Sequence, residues 1–545
     1  FDNLVSRTKI YLVIILILLI GICWQNKMLI IPAIALYVLI LAYTYFANNK
    51  RKSEISETLQ DLTLTVDSAA KTSLINSPFP LIILETDGNV VWKSSKFATE
   101  FANVDINMYI SDLIIDIKAE IEKSSAYKNL SNLFDEGTFT QIDAYTMSGE
   151  NPTEVIAGYG TVNSCPVYAF AQNSEICGGA MSKAHAAKLQ KVYDLAEKTG
   201  TPVVGMYDSN GAKLTEGIDM LGSYGAVINS VSKLSGVVPQ ISVILGNCLG
   251  TGALNAVSAD FVIMSEKAKL SLDVTGENAS AQDAAKLGVS HLTAKDTDSA
   301  IELTKELVAM LPSNNLSVSP IMDADEPADD AKCPIAKITD ADTFIQLKKG
   351  YGSEAVVGLG RIAGVVTGIV ATKGGTLAAE DCDKIASFVS FCDAFAVPVV
   401  TLADSTGFAG VKEAARVTAA YADATTVKAT VITGKAYGAF YIAVAGAAAN
   451  ADITFAVDTA SISPLAPVTA AAVMWSDKMA VPKDERDKVV AEYEAQECTP
   501  AKAAAAGYVN DVISAADIRF KLYTVLEMLS GKRVATMPKK HGTIN

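Results

Sequence analysis

"VILGNCLGTGALNAVSADFVIM", residues 243–264, is the stretch on which the fold reading turns. A continuous apolar run leads into Gly246, Gly250 and Gly252, and a second apolar run follows. No lysine, histidine or carboxylate interrupts the glycine segment. A short, unbroken apolar run is the pattern of a parallel strand covered on both faces. Glycine is needed where the backbone must take positive φ, or where a ligand approaches with no Cβ in the way. Such a turn aims successive N–H groups into a concavity, and two donors converging on one point make an oxyanion hole. The catalytic group of a site like this is the peptide backbone.

Sliding the chain against itself shows that the stretch is half of a duplication. "VIAGYGTV" (155–162) returns as "AVVGLGRI" (355–362), setting Gly158 and Gly160 against Gly358 and Gly360. "TPVVGMYDSNG" (201–211) returns as "VPVVTLADSTG" (397–407), with Asp208 against Asp404. "ISVILGNCLGTGA" (241–253) returns as "ATVITGKAYGAFY" (429–441). The offsets are 200, 196 and 188 (355−155, 397−201, 429−241), with shorter connections in the second copy. One unit of about 190–200 residues therefore occurs twice.

Each unit has the same rhythm. The helix "SKAHAAKLQKVYDLAEKTG" (182–200) spaces apolar residues by three and four and stops at a glycine. The strand "PVVGMYD", the helix "GIDMLGSYGAVINSVSKLSG" and the strand "ISVILG" follow. Strand–helix alternation predicts right-handed crossovers in a layered α/β fold. The boundaries are 125–316 for the first domain, 317–345 for a Pro-, Ser- and Asp-rich linker, and 346–545 for the second domain.

Bulk properties remove several classes of function. The chain has 545 residues, half of them hydrophobic, and a formal charge of −15, so a phosphate-binding surface for nucleic acid is excluded. Eight cysteines lie scattered without a CxxC pair and read as reduced core residues, neither disulfides nor metal ligands. Only His185, His291 and His541 are present, which argues against a histidine triad or a zinc site. "GNCLGTG" lacks the Gly-Lys-Ser/Thr ending of a nucleotide loop. Asp208 and Asp404, at strand ends, read as caps of the turns that follow. His185 reads as a helix-face residue near the pocket and not as a base, while Glu216 fits a CoA contact or a solvated surface equally.

The front of the chain has another character. Apolar runs at 11–24 and 28–46, within residues 1–50, predict a transmembrane hairpin with helices at about 10–24 and 28–46. Arg7, Lys9 and "NNKRK" (48–52) place both flanks in the cytoplasm. Residues 51–124 read as a linker helix and a partial PAS-like α+β segment, in which "FPLIILETDGNVVWKSSKFATEFA" (79–102) gives strand, Asp-Gly turn, strand and helix. This front part resembles that of membrane-bound cyclic-dinucleotide phosphodiesterases, without their Asp-His-His motif. It implies cytoplasmic catalytic domains on a membrane anchor.

From about residue 125 onward the chain resembles the biotin-dependent acyl-CoA carboxyltransferases. The resemblance is carried by "GYGTVNSCPVYAFAQN", "GGAMSKAHAAKL", "DSNGAKLTEGIDMLGSYG", "SGVVPQISVILGNCLGTGA", "LPSNN", "FCDAFAVPVVTLADSTGF" and "KAYGAFYIAV", in that order. It implies two crotonase-like domains and carboxyl transfer between biotin and an acyl-CoA, with the biotin N1 as the base. It also implies a first oxyanion hole for the CoA thioester at Gly250 and Thr251, beside Gly252 and Ala253. A second, for biotin, falls on Ala439 and Phe440 after Gly438. By the same resemblance Gly178, Gly179, Gly211 and Ala212 belong to the acyl-CoA path, and Thr406, Gly407, Phe408, Tyr437 and Tyr441 to the biotin path. No metal is implied. The cofactor is carboxybiotin on a separate biotin carboxyl carrier protein, with biotin carboxylase or membrane decarboxylase subunits as further partners. The chain would be a subunit of an acyl-CoA carboxylase or of a sodium-pumping decarboxylase of a malonyl-type CoA. Pockets shared between the first half of one subunit and the second half of another imply a homo-oligomer, dimer or hexamer. "YGAFY", "DSTGFAGVKEAARV" and "SISPLAPVTAAAVMW" depart from the usual family segments. Two competing readings are a crotonase-type enoyl-CoA hydratase or isomerase, which needs one hole and a glutamate, and a membrane-tethered sensor without turnover.

Overall fold

A computed structural model describes residues 121–534 (except 150, 274, 276–278, 329–331 and 447–449), Lys118, and two upstream strands. The chain divides into two compact units, residues 1–115 and 116–545. In the first, Ile82–Leu84 pairs antiparallel with Val90–Lys93, as the Asp-Gly turn between them predicts. The transmembrane hairpin, the linker helix and the helix after the second strand lie outside the described residues. Among the described residues no helix is long and apolar enough to cross a membrane.

The second unit holds two eight-stranded sheets built on one plan. The first runs, in spatial order, Leu292–Ala294, Phe261–Ser265, Gln240–Leu249, Val203–Ser209, Cys165–Gln172, Val155–Val162 and Thr140–Ile142. Lys269–Ser271 lies beside the end of Gln240–Leu249. The second sheet repeats this order with Asp511–Ile513, Ile453–Val457, Lys428–Tyr437, Val399–Ser405, Val365–Thr372, Ala355–Ile362 and Ile345–Leu347, and Ser461–Ser463 lies beside Lys428–Tyr437. In each, the hairpin at one edge is antiparallel and the crossover strands are parallel. The two central strands confirm the continuous-apolar reading: in Val203–Ser209 and Val399–Ser405 every residue is buried except Asp208 and Asp404.

Those aspartates have a different task from the one the sequence suggests. Pairing steps from Tyr207↔Ile244 to Ser209↔Cys248, and from Ala403↔Ile432 to Ser405↔Ala436, so the long strand of each half carries a bulge. Asp208 Oδ1 accepts the Asn247 N–H (3.0 Å) and Asp404 Oδ1 the Lys435 N–H (2.9 Å) at that bulge. They cap the neighbouring strand, not their own turn. The carboxylates lie so close that a Cβ on Gly246 would stand 2.0 Å from Asp208 Oδ1, and one on Gly434 2.3 Å from Asp404 Cγ. These two glycines serve packing.

Part of the stretch read as linker belongs to the second half. Pro334–Ile338 is a helix, Ile345–Leu347 is the edge strand of the sheet, and Asp340 accepts the Ala363 and Gly364 N–H groups at 2.8 Å each. After its glycine turn the second copy is also the longer one: helices Pro467–Met474 and Lys483–Glu497 are inserted between Ser461–Ser463 and Pro500–Ala505. A continuous hydrophobic core runs through both halves. At their seam Phe261 meets Phe391 edge-on, with ring centroids 4.6 Å apart.

Candidate functional site

In the first half the strand Gln240–Leu249 ends at Gly250, whose φ of +67° only glycine adopts without strain. The helix Thr251–Val257 starts directly after it. The Gly250 N–H donates to Ser271 O at 2.9 Å and is therefore consumed within the fold. Ala253 donates to Gly250 O at 3.1 Å. Thr251 and Gly252 stand between them with N–H groups that donate to no described residue. They are the unsatisfied donors of a first helical turn.

Three other segments converge here. Gly211, at φ +112°, would carry a Cβ 3.6 Å from Leu249 O, so it lies against the end of the strand that feeds the turn. Its N–H is held by Ser209 Oγ at 3.2 Å. Gly178 and Gly179 take positive φ beside Asn210 and the Asp208 carbonyl, and Asn247 Nδ2 donates to Asn210 Oδ1 at 2.8 Å. Ala212 bridges to Met181. Gly178, Gly179, Gly211 and Ala212 thus lie at the end of the strand that leads into residues 250–253.

A part-buried ion pair fastens this assembly. Lys213 Nζ reaches Glu154 Oε1 at 2.8 Å, and Ser182 Oγ donates to Glu154 Oε2 at 2.7 Å. Burial pushes the Glu154 carboxyl up, but the hydrogen bonds from Lys213 and Ser182 outweigh it and hold the group below its usual range. His185 lies in this layer, fully buried, with neither ring nitrogen bonded. Burial drives it down to about 3, against the partial opposition of Glu154, so the ring is neutral. It is a core residue and not one of the pocket's face. Glu216 accepts the Lys183 N–H at 2.7 Å, a helix-start contact.

The second half repeats the turn. Gly438 has φ +48°, and the helix Gly438–Val444 leaves the Ala439 and Phe440 N–H groups without a described acceptor. By the repeat, Thr251 matches Ala439 and Gly252 matches Phe440, so the two free pairs are equivalent. Ser405 Oγ holds the Gly407 N–H at 3.1 Å as Ser209 holds Gly211. Phe408 packs edge-on against Phe440 at 5.9 Å, and Thr406 Oγ1 shares a 2.8 Å hydrogen bond with Thr376 Oγ1. The two tyrosines of the expected biotin path spend their hydroxyls elsewhere. Tyr437 reaches Glu494 Oε1 (3.0 Å) and Ser461 Oγ (3.2 Å), and Tyr441 donates to Tyr508 O. Tyr437 thereby ties down the inserted helix Lys483–Glu497.

Sequence reasoning missed Ser209 and Ser405, although the Asp-Ser-x-Gly string stands in both copies and was the signal available. Cys177 and Cys333 are exposed, unlike the core cysteines expected; Cys248, Cys382, Cys392 and Cys498 are buried.

A duplicated α/β unit with a backbone-lined turn at the same place in each half is the architecture of tandem crotonase-like enzymes. Residues 122–544 match the carboxyl transferase domain, and the chain belongs to that family, the biotin-dependent acyl-CoA carboxyltransferases. It is 34% identical to the propionyl-CoA carboxylase beta chain of Saccharopolyspora erythraea, over 77% of this chain and 90% of that one. It is 33% identical to the methylmalonyl-CoA decarboxylase subunit alpha of Veillonella parvula, over 77% and 93%. Among solved structures it is similar to hexameric transcarboxylase 12S with methylmalonyl-coenzyme A bound, at TM-score 0.74 and 32% identity, over 80% of this chain and 97% of that one.

Proposed function

We propose that the two turns are paired oxyanion cradles, Thr251 and Gly252 for the thioester oxygen of an acyl-CoA, Ala439 and Phe440 for the ureido oxygen of biotin. The observation that carries this is the equivalence of the two unpartnered N–H pairs. The donor sets suit both ligands: each is a pair of neutral N–H groups, and each acceptor is a carbonyl oxygen that gains negative charge during reaction. Gly250 and Gly438 shape the turns, and Gly250 donates into the fold. Gly178, Gly179, Gly211, Ala212 and Ala253 border the acyl-CoA side, and Thr406, Gly407 and Phe408 the biotin side, where Tyr437 and Tyr441 contribute rings only. Bound biotin supplies the nitrogen that carries the carboxyl group and exchanges the proton. The chain's own residues hold the two oxygens and exclude water.

In this reading biotin arrives on a separate carrier chain, and the acyl group is of the propionyl or methylmalonyl type. The protein is a subunit of a carboxylase or of a malonyl-type-CoA decarboxylase. The apolar runs at 11–24 and 28–46 anchor it to a membrane, which detergent-dependent extraction of the full chain tests. The central experiment supplies methylmalonyl-CoA and free biotin and measures the decarboxylated thioester. Biotin-dependent turnover is expected; its absence with malonyl-, methylmalonyl- and glutaconyl-type thioesters overturns the proposal.

A further inference from the structure

Resting on the cradle reading, we infer that Tyr224 is a catalytic residue of the first half, its phenol O–H donating a third hydrogen bond to the enolate oxygen of the acyl thioester. Tyr224 lies on the helix Asp219–Leu234 with its side chain turned inward and only 4% of the residue exposed. A buried tyrosine hydroxyl ordinarily finds a partner. Tyr421 bonds Thr401 Oγ1 at 2.7 Å, and Tyr437 bonds Glu494 and Ser461. On the Tyr224 phenol only burial and the nearby Cys248 act, and no hydrogen bond contributes to its raised pKa.

Its position gives the reason. The space a Cβ on Gly252 would enter contains one atom within 4 Å, the Tyr224 hydroxyl, at 3.9 Å. The hydroxyl thus lies beside Gly252, in the turn that carries the Thr251 and Gly252 N–H groups. Burial, helped by Cys248, pushes the phenol up to about 12, so it remains a neutral donor at any working pH. The second half has no counterpart. The residue matching Gly252 is Phe440, whose fully buried ring packs on Phe408.

That asymmetry follows the chemistry. In the decarboxylating direction the bond from the α-carbon to the carboxylate carbon breaks and CO2 leaves. Its electron pair forms the Cα=C bond, and the carbonyl pair moves onto the thioester oxygen. The phenol keeps its proton and tightens its hydrogen bond as the charge appears, which is how a preorganised donor stabilises a transition state more than a ground state.

Tyr224→Phe removes only the phenol oxygen and keeps the buried ring, so the fold and the assembly should persist. Roughly a 100-fold fall in kcat is expected, with KM for the CoA thioester changed by less than about twofold. A CoA thioether ending in a nitro group gives an independent readout, because its nitronate form copies the enolate. The variant should bind the nitronate roughly 100-fold more weakly than the wild type and the neutral thioether equally well. Unchanged kcat and unchanged nitronate affinity overturn the inference. So does an equal loss of affinity for both ligands, which marks a packing role. Wild-type protein without biotin-dependent turnover counts against the cradle reading itself, while the nitronate comparison still judges Tyr224.

Discussion

The two neighbours Gly250 and Thr251 separate shape from chemistry. Gly250 holds φ +67° and gives its N–H to Ser271, whereas Thr251 opens the helix with a free N–H. Proline is tolerated at a first helical position, where it deletes a donor and little else. Thr251→Pro should therefore fold normally and lose roughly 100- to 1,000-fold in kcat, measured by steady-state decarboxylation. Gly250→Pro should fail to fold, since proline cannot reach that φ. The sequence reading starts the pair at Gly250 because Ser271, the acceptor of the Gly250 N–H, sits on a strand with no local signal. Repeat equivalence with Ala439 and Phe440 points to Thr251 and Gly252, the pair proposed above. His185 has a different consequence, in pH dependence. Its folded pKa is about 3 against an ordinary 6.5, so between these values the unfolded chain holds a proton the folded chain lacks. The stabilisation is complete above pH 6.5 and is lost as pH falls toward 3. His291, also driven to about 3 by burial, acts in the same sense, while Asp260, pushed up to about 7 by burial, opposes both between about pH 4 and 7. His185→Leu should keep turnover within a few-fold and flatten the fall in stability by about one proton, or about 1.4 kcal/mol per pH unit, in denaturant titrations at pH 4, 5 and 6. Inactivity of the folded variant would return side-chain catalysis to consideration.

At the scale of elements, the bulge is what aims each turn. The long strand must leave its register to bring its last residues over the sheet end, and one aspartate per half holds the displaced amide. Gly246→Ala places a Cβ 2.0 Å from Asp208 Oδ1, so either the carboxylate or the strand must move. The expected cost is about 1–3 kcal/mol, with activity lost alongside, seen as a lower denaturation midpoint. Gly225→Ala is the contrast: on the helix Asp219–Leu234 its Cβ would meet nothing within 4 Å. That substitution should stabilise by about 0.5–1 kcal/mol, because alanine loses less backbone freedom on folding. The strands themselves were legible, since an unbroken apolar run has one comfortable place, inside a covered parallel sheet. The bulges were not, because they depend on an aspartate and a glycine 38 residues apart in the first half (246−208) that meet only after folding. The helices Pro467–Met474 and Lys483–Glu497 escaped for another reason. The second is largely charged and buries only Tyr493, so its sequence shows no apolar stripe to read.

For the whole molecule, three aligned anchors were enough to predict two copies of one sheet, because strand order follows once the crossovers are right-handed and the anchors recur in order. On the proposed cradle reading, where the two turns work together depends on assembly. Large apolar side chains stand open to solvent in both halves: Leu214, Ile218 and Leu221 in the first, Val411, Val468 and Met474 in the second. Exposed apolar groups that cluster mark an interaction surface. If the first half of one subunit faces the second half of another, a two-fold pair holds two pockets, each drawing one cradle from each chain. Mixing two inactive variants tests this. Thr251→Pro disables the first cradle and Ala439→Pro the second, and both substitutions lie in a first helical turn that tolerates proline. Co-refolding them in equal amounts gives half mixed pairs, and each mixed pair has one pocket with both cradles intact. About a quarter of wild-type turnover should then return, although each variant alone is inactive. Ile218→Glu should prevent both assembly and recovery, read by sedimentation and by the same assay. A folded mixture that assembles yet stays inactive would place both cradles of a pocket in a single chain.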